Sequence, residues 1–496
     1  MKKEKLFEVL GDLDEKEVKA AREYRPSEKT QSDEGYRNVK VKTRRPAWVR
    51  WTAIAACVVL LIAAVTGLPA LRSGGSQGEI PAEFIALAAE YPEPVAEGMS
   101  ADEYLTGDAG YEWWQEQLAK IEASSEAAGR ASAYSSDIIK KMLAAEDENT
   151  VCSPLNTYIA LSMLAEVTDG NTRAEILKAL GAQDLDSLRS DVKALWETNY
   201  INTPSMKSTL ANSIWLNGRI KFNDETLKTL CGDYYASSFR GEMGSEEMNK
   251  ALQDWTNENT GGLLEEYIQD MKTDPETVME LISTIYYKAS WLEKFHEEDN
   301  QTLTFHGTKG DTEAEMMYRN DFMKIYRTDK FTATGLSVGD DGCGTMYFYL
   351  PKEGVDVNEL LGDEDVIKSA TQLKDDDWSY PEVNLLIPKF KVSAKTDLTE
   401  ILQELGINEA MQAGTADFTP LTTDSDELYL AKAEHAAMVE INEEGVTGAA
   451  YTELALGKGG PDPEEIIDLT FDRPFMFVIA GADGSVLFSG IVRNID

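Results

Sequence analysis

Apolar residues recur at two different spacings along residues 136–494 of the chain. A return every three or four positions predicts helices over residues 136–146, 153–168, 225–236 and 246–262. Alternation or a continuous apolar run predicts strands over residues 278–291, 344–351, 383–393, 436–442 and 474–494. Gly-Ala-Asp-Gly at the centre of the last segment predicts a hairpin turn there. Because helices come mainly first and strands later, we expect an α+β fold with helices packed on a large, mostly antiparallel sheet system.

A different apolar pattern lies nearer the N-terminus, where the 21 residues 51–71 contain no charged side chain. A helix of that length would reach about 31 Å, close to the thickness of the hydrocarbon core of a membrane. The segment is preceded by the basic residues Lys40, Lys42, Arg44, Arg45 and Arg50. Because positive charge stays on the cytosolic side, we expect a single-pass transmembrane helix at 51–71 and a cytosolic N-terminal tail at 1–50.

The residues after this apolar segment divide into two parts. Residues 72–124 begin with the flexible SGGSQG and continue as an acidic, aromatic and turn-rich stretch. We expect this part to be an acidic extracytoplasmic stalk that packs partly on the body. Residues 125–496 carry the helix and strand patterns and form the expected folded domain, which would lie outside the cell.

Charge and metal-ligand counts exclude several functions. Residues 1–72 hold 15 Lys or Arg and 10 Asp or Glu, which leaves 32 basic and 78 acidic residues, a net charge of −46, in residues 73–496. Such an acidic body would repel a phosphate backbone, and we therefore expect no nucleic-acid binding. The cysteines Cys57, Cys152, Cys231 and Cys343 form no C-x-x-C pair, so we expect buried free thiols, no metal site and no cofactor.

Five motifs together resemble the serpin family in sequence and in order. They are NTVCSPLNTYIALSMLAEVTDGNTRAEILKALG at 149–181, STIYYKASWLEKF at 283–295, VNLLIPKFKV at 383–392, INEEGVTGAAYT at 441–452, and FDRPFMFVI with GSVLFSGIVRN at 471–494. The resemblance covers residues 125–496. It implies a monomeric suicide-substrate inhibitor that traps a serine protease, or a cysteine protease, by inserting a cleaved bait loop into its own sheet. With the predicted span, the chain is expected to be a bacterial, membrane-anchored member.

The resemblance also assigns roles to individual residues. The loop hinge is carried over onto Glu443, Glu444, Gly445, Val446, Thr447, Gly448, Ala449 and Ala450. A buried polar cluster beneath the sheet, called the shutter in this family, is carried over onto Ser153, Asn156, Ser283 and His435. The tryptophan of the breach, where the sheet first opens, is Trp291. Many family members have Ser on the helix and Asn on the strand, whereas this chain has Asn156 and Ser283.

The loop sequence itself is consistent with a segment that becomes a buried strand. From Val446 onward, one side of an extended chain would carry Val, Gly, Ala, Thr, Leu and Leu, with no charge and no aromatic ring. The opposite side contains both the Tyr and the Glu of the stretch. Small residues near the hinge would enter a packed sheet without displacing neighbours. However, Gly448 weakens strand pairing, so insertion could be slow and more of the inhibitor cleaved as substrate.

The bait residue follows from counting along the loop. In the family the hinge glycine is usually the fifteenth residue before the cleaved bond, which from Gly445 gives Gly459 before the bond and Gly460 after it. Lys458, one residue earlier, offers the charge and long stem that a trypsin-like pocket binds. The bond is therefore Lys458–Gly459 or Gly459–Gly460, and a trypsin-like target is expected if Lys458 is the bait residue.

Two rival functions compete with protease inhibition. An enzyme is disfavoured because the three histidines form no H-E-x-x-H motif. A non-inhibitory, serpin-like binding or adhesion protein on the cell surface is the stronger rival. It would be marked by a charged or bulky residue on the inward side of the loop, and none occurs there.

Overall fold

The computed structural model describes residues 80–100, 104, 107–269, 271–339, 342–371, 377–424, 428–446 and 465–495. Its helices are α1 Asp108–Met142, α2 Pro154–Glu166, α3 Gly170–Ala179, α4 Leu185–Asn199, α5 Asp224–Asp233, α6 Glu246–Asn259, α7 Glu265–Ile268, α8 Glu364–Thr371 and α9 Thr399–Glu404. Short 3-10 helices lie at Ala82–Phe84, Glu297–Asp299, Val357–Leu360 and Glu409–Met411.

The strands follow the predicted pattern and add several that the pattern missed. In chain order they are β1 Ile85–Leu87, β2 Thr150–Cys152, β3 Ile201–Asn202, β4 Met206–Asn217, β5 Ala236–Gly241, β6 Met279–Ser290, β7 Gln301–Gly307, β8 Gly310–Phe322, β9 Ile325–Arg327, β10 Phe331–Ser337, β11 Gly344–Pro351, β12 Glu382–Pro388, β13 Phe390–Asp397, β14 Glu434–Asn442, β15 Gly445–Val446, β16 Ile466–Thr470, β17 Phe475–Gly481 and β18 Val486–Val492. Each predicted strand segment overlaps at least one observed strand.

Three sheets organise these strands. The large sheet has the order β1-β5-β4-β6-β15-β14-β13, with β3 paired to β4. The second sheet is β2-β18-β17-β11-β10-β9, and the third is β16-β12-β8-β7. Pairing is antiparallel except between β4 and β5 and between β12 and β16, which confirms the expected sheet type. The α+β fold with a large sheet system is therefore confirmed.

The second sheet lies at the centre of the core. Every residue of β17 and β18 is buried, because helices cover one face and the large sheet covers the other. Tyr287 of β6 contacts Phe488 of β18 edge-to-face, with 6.1 Å between ring centroids. Helix α2 begins where the sequence predicts, since Pro154 is its first residue and the Ser153 side chain accepts a hydrogen bond from the Asn156 N–H.

The outer face of the large sheet carries a second, smaller apolar cluster. Helix α6 packs there, and Trp255 contacts Trp215 of β4 and Phe239 of β5 edge-to-face. The Trp215 and Phe239 rings are stacked, with centroids 4.4 Å apart. This cluster ties α6 to one half of the large sheet.

Part of the expected stalk forms regular secondary structure that contacts the body. Strand β1 pairs with β5 at the edge of the large sheet, and helix α1 runs without a break through the boundary expected after residue 124. The described residues all belong to one compact unit, Gln77–Asp496. The tail 1–50 and the predicted span 51–71 lie outside the described residues. In the part of the chain that the structure describes, no helix is both long and apolar enough to cross a membrane.

The described cysteines are free thiols. Cys152 and Cys343 are buried, and Cys231 is half-buried. Among the described residues no group of His, Cys, Asp or Glu has the arrangement of a metal site. Cys57 lies outside them.

Candidate functional site

The hinge of the predicted loop enters the large sheet between two strands. After β14 the chain turns at Glu443 and Glu444, and the Glu444 N–H donates to the Asn442 side-chain oxygen at 3.0 Å. Strand β15 then pairs antiparallel with β14 on one side and with β6 on the other, Val446 lying opposite both Ile441 and Ala289. Val446 is buried in the main core. The start of the hinge therefore already occupies a strand position.

The geometry at the start of β15 requires glycine at position 445. Its φ is +153°, and a Cβ at this position would lie 2.2 Å from the Ala289 carbonyl oxygen. Any side chain would force β15 away from β6, so only glycine allows the chain to approach this closely.

The two glutamates of the turn are held by side chains from distant parts of the chain. Lys389 Nζ lies 3.0 Å from the Glu443 carboxylate, and Asn300 Nδ2 donates to the same carboxylate at 2.5 Å. Burial raises the pKa of Glu443, but these hydrogen bonds outweigh it and leave the pKa below its ordinary value. Lys294 pairs with Glu444 at 2.6 Å. We call these three partners, Lys294, Asn300 and Lys389, the clasp.

Trp291 lies directly beneath the turn, where the resemblance places the breach. The side chain is 1% exposed, and its Nε1–H donates to the Asn442 carbonyl at 2.7 Å. Its backbone N–H donates to the Glu444 carbonyl at 3.1 Å. The ring contacts Phe295 edge-to-face, with centroids 6.0 Å apart. Trp291 therefore joins the top of β6 to the hinge.

Below Val446 the large sheet is divided. Among the described residues, β6 and β14 are joined only through β15 and show no direct pairing with each other. A small cavity of about 30 Å³ lies between them. It is lined by Asn156, Thr260, Leu263, Leu264, Ser283, Thr284, Ile285, Ala436, Ala437, Met438 and Phe488. The lining includes both strands, the core below them and the α6–α7 connection above them.

The connection between α6 and α7 reaches across this division. Helix α6 packs on the β4 and β6 side, and beyond the connection the Tyr267 hydroxyl donates to Ser393 Oγ of β13 at 3.0 Å. Separating the two halves of the sheet would therefore disturb this connection.

The structure shows two separate pairings among the four shutter residues. The Ser153 N–H donates to His435 Nε2 at 3.0 Å, and Asn156 and Ser283 line the cavity. Ser283 Oγ is buried without a hydrogen-bond partner among the described residues. Within the described part of the chain, the Asn156 amide makes no hydrogen bond to His435. His435 is held by the helix backbone instead.

Buried His435 should make the protein less stable in mild acid. Burial lowers its pKa from 6.5 to about 4. Between these pH values the unfolded chain binds more protons than the folded one, so stability present above pH 6.5 is lost as the pH falls. We expect a loss of about 2 kcal/mol between pH 7 and pH 5, measured from urea midpoints. His435→Gln removes this titration, and an equally steep fall in that variant would contradict the assignment.

The remaining predicted loop residues lie outside the described part of the chain. These are Thr447, Gly448, Ala449, Ala450, Lys458, Gly459 and Gly460. The chain is described again from Glu465, and Ile466 begins β16 in the third sheet. Residues 447–464 therefore connect a strand of the large sheet to a strand of the third sheet.

Comparisons with known proteins agree with this arrangement. A family model described as Serpin (serine protease inhibitor) matches residues 130–495. Human Serpin B9 is 28% identical over 355 residues, covering 69% of this chain and 92% of its own length. The horse leukocyte elastase inhibitor is 29% identical over 361 residues, covering 69% of this chain and 92% of its own.

Solved structures show the same fold. The thermophilic serpin tengpin in its native state matches with a TM-score of 0.65 at 24% identity, covering 74% of this chain and 93% of that one. Thyroxine-binding globulin in complex with thyroxine matches with a TM-score of 0.63 at 23% identity, covering 73% and 99%.

Proposed function

The chain belongs to the serpin family, and from this membership we propose that it inhibits a serine protease as a suicide substrate, by inserting its cleaved bait loop between β6 and β14. The observation that carries the proposal is the position of β15, which pairs with both strands while they share no direct pairing among the described residues. A third strand could continue downward from Val446 along both edges.

The proposed strand has a defined register. Val446 lies opposite Ala289 of β6 and Ile441 of β14, and both of these face the core. Since side chains alternate along a strand, Gly448 and Ala450 would also face the core. Continuing the register puts residue 450 opposite Ile285 and Ala437, which both line the small cavity. Small side chains fit such a space, and larger ones would not.

We propose Lys458 as the bait residue, which makes the target trypsin-like. Residues 73–496 mixed with trypsin should form a covalent complex that survives boiling in detergent, and mass spectrometry of the released peptide should place the cut after Lys458. Lys458→Ala should abolish this complex without changing the melting temperature, since trypsin requires a basic side chain. Chymotrypsin and elastase are the matched comparison enzymes.

The outcome separates the two candidate functions. A complex with any of the three enzymes supports inhibition, and the cut site names the bond. Undiminished complex in Lys458→Ala would move the bait to another residue. Gly459 and Leu456 would be tested next, the latter because a leucine suits a chymotrypsin-like pocket. Cleavage without complex by all three, and no rise in melting temperature of the cut protein, would favour the non-inhibitory binding protein.

We further propose that residues 51–71 anchor the protein in the cell membrane with the inhibitor outside. The proposal rests on the uncharged 21-residue segment and the basic residues before it. External protease added to intact cells should remove the 73–496 body and leave a small N-terminal fragment in the membrane. A body that remains protected until the cells are lysed would contradict the orientation.

A further inference from the structure

A segment that precedes the region matched by the family model packs along the free edge of the large sheet. We call residues 80–95 the strap. Strand β1 pairs with β5, Ile85 lying opposite Phe239. The Ala89 N–H donates to Ser237 Oγ at 3.1 Å, and the Val95 N–H donates to the Asn202 carbonyl at 2.9 Å. The strap therefore follows the sheet edge over most of its length.

One end of the strap joins the cluster beneath helix α6. Ile80 and Phe84 pack against this cluster, which contains Trp215, Phe239, Met248 and Trp255. Gly241 makes room for the contact, because a Cβ there would lie 2.7 Å from Met248 Sδ and 3.1 Å from the Phe84 ring. This end is tied to β4, β5 and α6.

The other end joins the helical layer through Tyr91. Its ring stacks on Tyr200 with centroids 6.0 Å apart and lies 5.8 Å from Trp196 of helix α4. Its hydroxyl donates to the Tyr235 carbonyl at 3.1 Å. Tyr91 contacts both the main core and the cluster beneath α6. The strap thus bridges the sheet edge and the helical layer.

Helix α4 is fixed to parts of the molecule that insertion would leave in place. Its Asn199 Nδ2 donates to Asp483 at 3.1 Å and to Ser485 Oγ at 3.3 Å, in the turn between β17 and β18. Gln117 of α1 donates to the Thr198 carbonyl at 2.6 Å. The Tyr91 end of the strap therefore contacts a helical layer that is bonded to the second sheet.

Inserting a strand between β6 and β14 must widen the large sheet by about 4.8 Å. Either half of the large sheet can move. If the half that contains β4, β5 and β6 moves together with helix α6, β5 slides past helix α4. The strap spans this junction, so its hydrogen bonds and ring packing would stretch or break during the movement. Interactions that break before the transition state is reached raise the barrier to insertion.

We propose that the strap restrains the edge half of the large sheet and thereby sets how slowly the bait loop inserts, both spontaneously and after cleavage. The proposal rests on the proposed inhibitory function. It assigns residues 80–95 a regulatory role, since release of the strap would convert the inhibitor to its inserted form without a protease.

The test uses full-length protein carrying Tyr91→Ala or Phe84→Ala, with Tyr111→Ala as control. Tyr111 is an aromatic residue of helix α1 that is 58% exposed. Each protein is held at 37 °C, and two quantities are followed: the capacity to form protease complex and the appearance of a heat-resistant form of intact chain length. We expect both strap variants to convert about tenfold faster than wild type and the control to be unchanged.

Each outcome decides the proposal. The proposal is overturned if both strap variants fold and convert at the wild-type rate. It is also overturned if they lose the capacity to form protease complex by unfolding, without forming the heat-resistant species. If Tyr91→Ala does not fold, Phe84→Ala decides alone. A wild-type protein whose cleaved form melts no higher than the intact form would refute the proposed function, and the strap proposal with it. If cleavage raises the melting temperature of the wild type but both strap variants convert at the wild-type rate, only the strap proposal is refuted.

Discussion

Cleavage of the bait loop is expected to raise the melting temperature of the protein by more than about 10 °C. In the intact structure β6 and β14 are joined only through Gly445 and Val446, among the described residues. An inserted strand would pair with both and bury a row of small apolar side chains. About ten new backbone hydrogen bonds at about 1 kcal/mol each would stabilise the cleaved protein. Each kcal/mol raises the melting temperature of a domain of this size by roughly 1–2 °C.

The measurement is calorimetry of the intact protein and of protein nicked in the loop by a catalytic amount of protease. An ordinary surface loop gives the opposite result, since cutting it leaves the melting temperature unchanged or lower. A rise would mean that the intact chain is held in its present state by a kinetic barrier. A nicked protein that melts no higher than the intact one contradicts insertion.

Local sequence patterns predicted the parts of the fold that local physics determines. The start of helix α2 follows from Ser153 and Pro154, because a capping side chain and a proline fit the first turn of a helix. The hairpin between β17 and β18 follows from the Gly-Ala-Asp-Gly sequence at its centre. The position of the hinge came from the resemblance to the serpin family and not from local pattern, and the structure adds that Gly445 allows close approach to Ala289.

Contacts between distant residues could not be predicted in this way. The clasp joins Glu443 and Glu444 to Lys294, Asn300 and Lys389, and nothing in the spacing of these residues indicates that they meet. Only the paired strands bring them to the top of the sheet.

The strap was missed for a different reason. Strand β1 is only three residues long, and Pro81, Pro92 and Pro94 surround it, so the sequence is typical of a turn-rich stalk. Its packing depends on the edge of β5, on Trp196 of helix α4 and on Tyr200 just after that helix. A short strand of this kind is specified by its partner more than by its own alternation.

The sharpest test of the proposed strand is a carboxylate on its inward side. Continuing the register from Val446 places residue 450 between Ile285 and Ala437, above a cavity of only about 30 Å³. Ala450→Glu would bury an unpaired charge there, at a cost of several kcal/mol. We expect the variant to be cleaved and released as a substrate, with complex formation reduced at least about tenfold, while the intact protein melts as wild type does.

The control must place the same carboxylate on the outward side where it can reach water. Residue 449 is unsuitable, because its register partner Met438 is only 6% exposed beneath the α6–α7 connection. Residue 447 would lie opposite Lys288 and Glu440, which are both half-buried and near the top of the sheet. Thr447→Glu should therefore keep most of its inhibition, assayed as detergent-stable complex. Equal loss of complex in both variants, or loss in neither, would contradict the register and the claim that this segment becomes a strand.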